Sequence, residues 1–173
     1  MFPRRTIVLG GARSGKSSFA ENLVMSCNKP RIYIATAQAF DDEMGNRIAS
    51  HKVQRGDDWR TIEEPLDASG ALASIAAGEV ALLDCATLWL SNQMLAENDL
   101  PTARTALIDA LRSCAGDVVI VSNEVGQGIV PENAMARRFR DEQGHLNQQL
   151  AEWADLAVLV VAGLPMVLKG QLP

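Results

Sequence analysis

The sequence predicts an α/β domain built on a mostly parallel sheet with helices on both faces, and three observations carry that reading. Short runs that are apolar throughout, with no polar alternation, mark strands covered on both faces. These runs alternate with segments of helical spacing along the whole chain, the pattern of a doubly wound fold. A glycine-bearing loop, GGARSGKS, joins the first apolar run to the first helical segment.

The elements follow in order. Residues 6–9 (TIVL) form a β-branched strand, and residues 17–26 read as helix through Phe19, Ala20, Leu23 and Val24. Residues 31–35 (RIYIA) are a second buried strand. From Asp41 the character changes: Asp41, Asp42 and Glu43 precede Arg47, His51 and Lys52, the charge order that suits a helix dipole, and Gly56 marks the end of that helix. Residues 60–63 form a short strand, and 67–77 an alanine-rich helix stopped by Gly78. The apolar run 80–83 ends in Asp84, and helical spacing returns over 87–95 and 101–115. Residues 118–121 are another buried strand, closed by Asn123 and Glu124. A loop rich in glycine and proline (125–133) then leads into a long polar helix over 134–154 and a last strand over 156–162.

Composition bounds the rest. The chain has 173 residues, 47% hydrophobic, 21% charged and 5% aromatic, which suits one globular domain over residues 1–173 with a real core. Lys and Arg total 16 against 21 Asp and Glu, a net charge of -5, so no general positive surface exists to neutralise a nucleic-acid backbone. Cys27, Cys85 and Cys114 form no CxxC pair and read as small apolar residues of a reduced compartment. The apolar run near the N-terminus is too short for a signal segment, and no stretch approaches the roughly 18 apolar residues of a membrane span. A cytoplasmic protein is expected.

Gly10, Gly11, Ala12, Arg13, Ser14, Gly15, Lys16 and Ser17 spell GxxxxGKS between strand and helix. Glycines let the backbone wrap phosphates, the helix N-terminus offers free N–H groups, Lys16 reaches terminal phosphates, and Ser17 can ligate Mg²⁺. This is a P-loop, the signature of nucleotide-binding α/β domains. Such a loop works with a second metal-anchoring acid at the end of a neighbouring strand, and Asp84 closes one, making it the expected partner of Ser17.

His51 sits among Arg47, Lys52 and Arg55. Neutral imidazole is available near pH 7 as a nucleophile toward phosphorus, and flanking cations stabilise charge developing on a phosphoryl oxygen. Its spacing from Met44 and Ile48 equally fits a half-buried histidine on an apolar helix face, and the residues alone leave both open. Asn123 and Glu124 stand at a strand's C-terminal end, where open α/β sheets bind ligands; Glu124 is either a base toward a substrate hydroxyl or a loop cap. His145 reads as surface, Arg137, Arg138 and Arg140 as a solvated helix face, and Trp59, Trp89 and Trp153 as packing residues.

With these residues assembled, the chain resembles the bifunctional adenosylcobinamide kinase / adenosylcobinamide-phosphate guanylyltransferase family of cobalamin biosynthesis. The similarity runs in order through GGARSGKS (10–17), YIATAQ (33–38), DDEM and RIASHK (41–52), WRTIEEP (59–65), LLDCATLWLSN (82–92), SNEVGQGIVPEN (122–133) and ARRFRDEQGHLNQQLA (136–151). The resemblance implies that His51, four positions after Arg47, accepts GMP from GTP with release of pyrophosphate. It also implies a GTP site made of the P-loop, of Thr36, Ala37 and Gln38, of Lys52, Val53, Gln54 and Arg55, and of Glu63 and Asp84. Asp84 stands where some members carry Glu, with the same charge and a shorter reach. ATP and GTP are the expected substrates beside a corrinoid, Mg²⁺ the expected cofactor, and a homotrimer the expected assembly.

Two rival readings use the same residues. A monofunctional P-loop small-molecule kinase needs the loop and Asp84 and leaves His51 idle. A nucleotide-dependent switch or assembly protein uses the loop and transfers nothing. In the reading the resemblance implies, the relevant positive charge is local, in Arg13 and Lys16 on the loop and in Arg47, Lys52 and Arg55 around His51.

Overall fold

A computed structural model describes residues 2–38 and 58–173 of the chain. Seven strands form one sheet: β1 (Arg5–Gly10), β2 (Arg31–Ala35), β3 (Trp59–Glu63), β4 (Val80–Asp84), β5 (Asp117–Asn123), β6 (Leu156–Val161) and β7 (Leu164–Lys169). Their spatial order is β3-β2-β4-β5-β1-β6-β7. β1 to β6 are all parallel, and β7 returns antiparallel to β6. Five helices lie among the described residues: α1 (Lys16–Met25), α2 (Ala68–Ala73), α3 (Ala86–Leu95), α4 (Leu100–Ser113) and α5 (Ala134–Trp153).

The apolar strands are buried on both faces because alternate side chains enter two separate cores. Ile7, Ile34, Leu83 and Ile120 point into one, closed by Leu72 of α2, Leu90 of α3, Leu107 and Leu111 of α4, and Leu146 and Leu150 of α5. Val8, Tyr33, Leu82, Val119 and Val158 point into the other, closed by Ala20, Leu23 and Val24 of α1. Helices on both faces of a mostly parallel sheet are the expected architecture. All three tryptophans are buried, as expected, and Trp89 also donates its indole N–H to the Leu66 carbonyl at 2.9 Å. His145 is exposed.

Two features differ from the sequence reading. The alanine-rich helix ends at Ala73 and does not continue to 77. Ser74 turns its hydroxyl back to the Ala71 carbonyl at 2.7 Å, and the Glu79 carboxylate accepts the Ala76 N–H at 2.7 Å, so side chains satisfy the backbone in a turn instead. β7 was not anticipated. It is made by a two-residue turn, Ala162–Gly163, with φ of 52° and 79°, the positive pair that a tight hairpin requires. Its six residues are all exposed, so no buried pattern announces it. Lys169 at its end donates to the carbonyls of Ala151 and Glu152 at 3.0 and 2.9 Å and ties the strand to the last turn of α5.

Parallel strands bring all their C-terminal ends to one edge. Gly10, Ala35, Glu63, Asp84 and Asn123 therefore share that edge, with β1 flanked by β5 and β6. The chain turns from one side of the sheet to the other around β1, which is where open α/β sheets hold ligands.

Candidate functional site

The loop from Gly10 to Ser17 wraps the end of β1 and the start of α1. Ser14 N–H donates to the Gly11 carbonyl at 3.3 Å, and Phe19 N–H to the Gly15 carbonyl at 3.0 Å. Gly15 is the residue before α1, with φ of 92°, and brings no side-chain cap. No acidic residue occupies the first turn, so the positive end of the helix keeps its free N–H groups for an anion. Lys16 Nζ donates to the Gly11 carbonyl at 3.1 Å, which holds the ammonium over the loop with two further protons to offer. Ser17 is half-buried beside it, and Arg13, at φ 55°, is exposed.

Gly10 has no room for a side chain: a Cβ there would collide with Ser14 Oγ and lie 2.8 Å from the Val160 carbonyl oxygen. A Gly10→Ala variant is expected to lose about 1–3 kcal/mol of stability through overpacking against backbone, read as a lower midpoint in urea denaturation, together with nucleotide affinity. The β6–β7 turn braces the loop from the other side, where Gly163 N–H donates to the Ser14 carbonyl at 2.8 Å.

Asp84 stands two strands away at the tip of β4, half-buried, and Tyr33 O–H donates to its Oδ2 at 2.9 Å. Tyr33 is fixed in turn by an edge-to-face contact with Trp59, ring centroids 6.0 Å apart. Thr36 is fully buried just after β2. Its hydroxyl donates to the Cys85 carbonyl and accepts the Cys85 N–H, both at 2.8 Å, and Asn92 Nδ2 donates to the Thr36 carbonyl at 2.8 Å. That hydroxyl therefore locks the β2 and β4 tips together. Ala37 and Gln38 follow at the same edge, half-buried, and Glu63 is exposed at the end of β3.

Cys85 reports where the loop and Asp84 meet. Burial first and the Asp84 charge second push its thiol up to about 12, against the Leu88 and Thr87 N–H groups and Lys16, which act in the opposite sense. Lys16 and Asp84 thus act electrostatically on one buried atom. Cys27 and Cys114 are also raised, in each case chiefly by burial. The folded chain holds these protons where the unfolded chain, titrating near 9.0, releases them. The resulting stability is whole below pH 9 and declines as pH rises from there toward 12. Cys85 alone contributes a slope of about 1.4 kcal/mol per pH unit, so Cys85→Ser is expected to flatten the alkaline decline in denaturation midpoints measured across that range.

At the tip of β5, a buried polar network that sequence reasoning missed fixes the backbone. Ser122 O–H donates to Asn147 Oδ1 at 2.6 Å, and Gln143 Nε2 donates to Ser122 Oγ and Asn147 Oδ1 at 2.9 Å. Asn147 Nδ2 donates to the Asn123 carbonyl at 3.0 Å, and Asn123 N–H donates to Thr87 Oγ1 at 2.7 Å. The one sequence signal is the i, i+4 placement of Gln143 and Asn147, which puts two amides on a single face of α5. Arg137, read as solvated, instead donates to the carbonyls of Pro131 and Glu132 and anchors the loop before α5.

The structure thus gathers Gly10 to Ser17, Thr36 to Gln38, Glu63 and Asp84 at one sheet edge. His51, Lys52, Val53, Gln54 and Arg55, with Arg47 and the helix expected after Asp41, lie outside the described residues. Ser17 and Asp84 offer a hydroxyl and a carboxylate, hard oxygen donors that suit Mg²⁺, an ion bound through one or two protein ligands plus substrate phosphates. Among the described residues no group of three or more His, Cys, Asp or Glu forms an all-protein metal cage. No helix of the described residues is long and apolar enough to cross a membrane.

Fold and loop together define a P-loop nucleotide-binding α/β protein. The CobU family, described as cobinamide kinase / cobinamide phosphate guanyltransferase, matches residues 6–168, and the chain belongs to that family. It is 48% identical over 170 residues to the bifunctional adenosylcobalamin biosynthesis protein CobP of Pseudomonas aeruginosa, covering 96% of this chain and 98% of that one. It is 40% identical over 179 residues to the bifunctional adenosylcobalamin biosynthesis protein CobU of Escherichia coli K12, covering 94% and 98%. Among solved structures, a prototypical ATPase from the type III secretion system of pathogenic bacteria aligns with a TM-score of 0.55 over 95% of this chain and 56% of that one. At 10% identity that likeness shows the fold alone.

Proposed function

We propose that this chain phosphorylates adenosylcobinamide with ATP or GTP and then transfers GMP from GTP to adenosylcobinamide phosphate, giving adenosylcobinamide-GDP in cobalamin biosynthesis. The observation that carries the reading is the braced P-loop at the β1–α1 junction in a chain matched to the family over residues 6–168.

In the first reaction the loop residues Gly10, Gly11, Ala12, Arg13, Ser14 and Gly15 cradle the triphosphate. Lys16 sets its charge against the γ-phosphoryl group, which passes in line to the hydroxyl of the aminopropanol arm. Ser17 and Asp84 hold Mg²⁺, which neutralises phosphate charge when bound; Tyr33 orients the Asp84 carboxylate for that task. In the second reaction the neutral imidazole of His51 attacks the α-phosphorus of GTP, a phosphorus–nitrogen bond forms, and pyrophosphate leaves. The corrinoid phosphate then attacks the phosphorus of this guanylyl-histidine and frees the imidazole. Thr36, Ala37, Gln38, Lys52, Val53, Gln54, Arg55, Glu63 and Asp84 complete the nucleotide site.

One domain over residues 1–173 working in the cytoplasm as a homotrimer completes the reading. Among the described residues β7 is the last strand of the sheet, with Leu164, Met166, Val167 and Leu168 exposed, and an apolar edge strand of this kind supports self-association. The test is product analysis: with adenosylcobinamide, ATP, GTP and Mg²⁺, mass spectrometry is expected to find the corrinoid phosphate first and adenosylcobinamide-GDP after it. Turnover of nucleotide with no corrinoid product would favour the switch protein, and phosphate product alone the monofunctional kinase.

A further inference from the structure

A cavity of about 330 Å³ lies against the P-loop, and its walls beyond the loop have no part in the reading above. Gly11 to Ser14 form one wall, the β6 tip from Leu159 to Ala162 another, and Glu124 and Gln127 the third. Glu124 is the only carboxylate among the described lining residues. It follows β5, the strand next to β1, and its N–H donates to the Gly10 carbonyl at 3.1 Å, so it is tied to the strand that carries the loop. Asn123 before it is held on both sides, by Thr87 and Asn147. The carboxylate is oriented as well: Oε1 accepts the Gly126 N–H at 2.6 Å, while Oε2 makes no hydrogen bond with the described residues. Asp84, the other acid near the loop, is engaged by Tyr33 and does not line this cavity.

We infer that this cavity is the subsite for the acceptor alcohol of the kinase step and that Glu124 is its catalytic base. The inference rests on the kinase half of the reading above. A space of this size takes a short hydroxyl-bearing aliphatic arm and excludes a macrocycle, so the bulk of a large substrate stays outside while its arm enters beside the loop. Glu124 Oε2 accepts the hydroxyl hydrogen, and the oxygen forms its bond to the γ-phosphorus. The bond from that phosphorus to the β–γ bridging oxygen breaks, and its electron pair leaves on the nucleoside diphosphate. The proton on Glu124 passes to water after the phosphorylated arm withdraws. Val161 and Ala162, both exposed on the far wall, present an apolar surface to the arm's carbon chain.

The test compares the full-length wild-type protein with Glu124→Gln and Glu124→Asp. Glutamine keeps an oxygen for the Gly126 N–H and removes only the basic oxygen, while aspartate keeps the base and shortens its reach. Glu124→Gln is expected to lower kcat for phosphorylation of adenosylcobinamide by ~10²-fold or more, with Glu124→Asp between it and wild type. Nucleotide KM and the transfer of GMP to preformed adenosylcobinamide phosphate should stay within about threefold, a change worth no more than the scatter of a surface substitution. A kinase rate in Glu124→Gln within threefold of wild type overturns the assignment. So does an equal fall in both reactions, which marks Glu124 as a support of the loop. A wild-type protein that leaves adenosylcobinamide unphosphorylated is a different result: it refutes the kinase reading and this inference with it.

Discussion

Lys16→Ala is expected to lower kcat/KM for phosphorylation of adenosylcobinamide by ~10²–10³-fold, the scale on which a single preorganised charge acts in a desolvated phosphate site. Among the described residues the ammonium makes one hydrogen bond, to the Gly11 carbonyl, so the variant is expected to lose little stability and the effect to read as transition-state stabilisation. Lys16→Arg is not expected to restore the rate. A planar guanidinium fork, wider than the compact ammonium, does not fit a loop whose mouth is set by Gly10 against Val160 and by Gly15 against Gly163. Steady-state kinetics with purified variants decide the matter, and full activity in Lys16→Ala would refute the role of the loop.

His51→Ala is expected to split the two reactions. The kinase step proceeds, adenosylcobinamide phosphate accumulates, and formation of adenosylcobinamide-GDP falls by at least ~10⁴-fold, because no other group takes over from a lost covalent nucleophile. Adding preformed adenosylcobinamide phosphate does not rescue the product. Loss of both reactions together would place His51 in a shared binding role.

The parts of the fold that were legible are those specified by local pattern. Five of the six parallel strands are legible in runs such as RIYIA and VALLD because a strand buried on both faces needs apolar side chains, whereas β3 (WRTIE), with Arg60 and Glu63 exposed, carries no such run. The P-loop and the place of Asp84 were legible for the same reason: a motif between strand and helix, and an acid at a strand's end, are both local. What escaped depends on distant partners. β7 is fixed by its turn and by pairing to β6, and its exposed LPMVLK carries no buried pattern. Helix α2 stops early because Glu79, beyond its end, satisfies the backbone of a turn. Tyr33 reaches Asp84 across 51 positions, and Ser122 reaches Asn147 across 25. Neither pairing follows from spacing along one element. The brace from Gly163 to the loop is of the same kind, a backbone contact that no side-chain pattern encodes. The proposed role of His51 rests on resemblance, since the residues alone leave a half-buried histidine open.

The proposed function joins, in one chain, phosphoryl transfer at a P-loop to guanylyl transfer through a histidine. The most direct measurement incubates the protein with GTP carrying a labelled α-phosphate, denatures it, and follows the label on the polypeptide. A phosphorus–nitrogen bond predicts label that is acid-labile and alkali-stable, absent from His51→Ala, and discharged by adenosylcobinamide phosphate before denaturation. Wild-type protein that carries no label, or label that persists in His51→Ala, would contradict it.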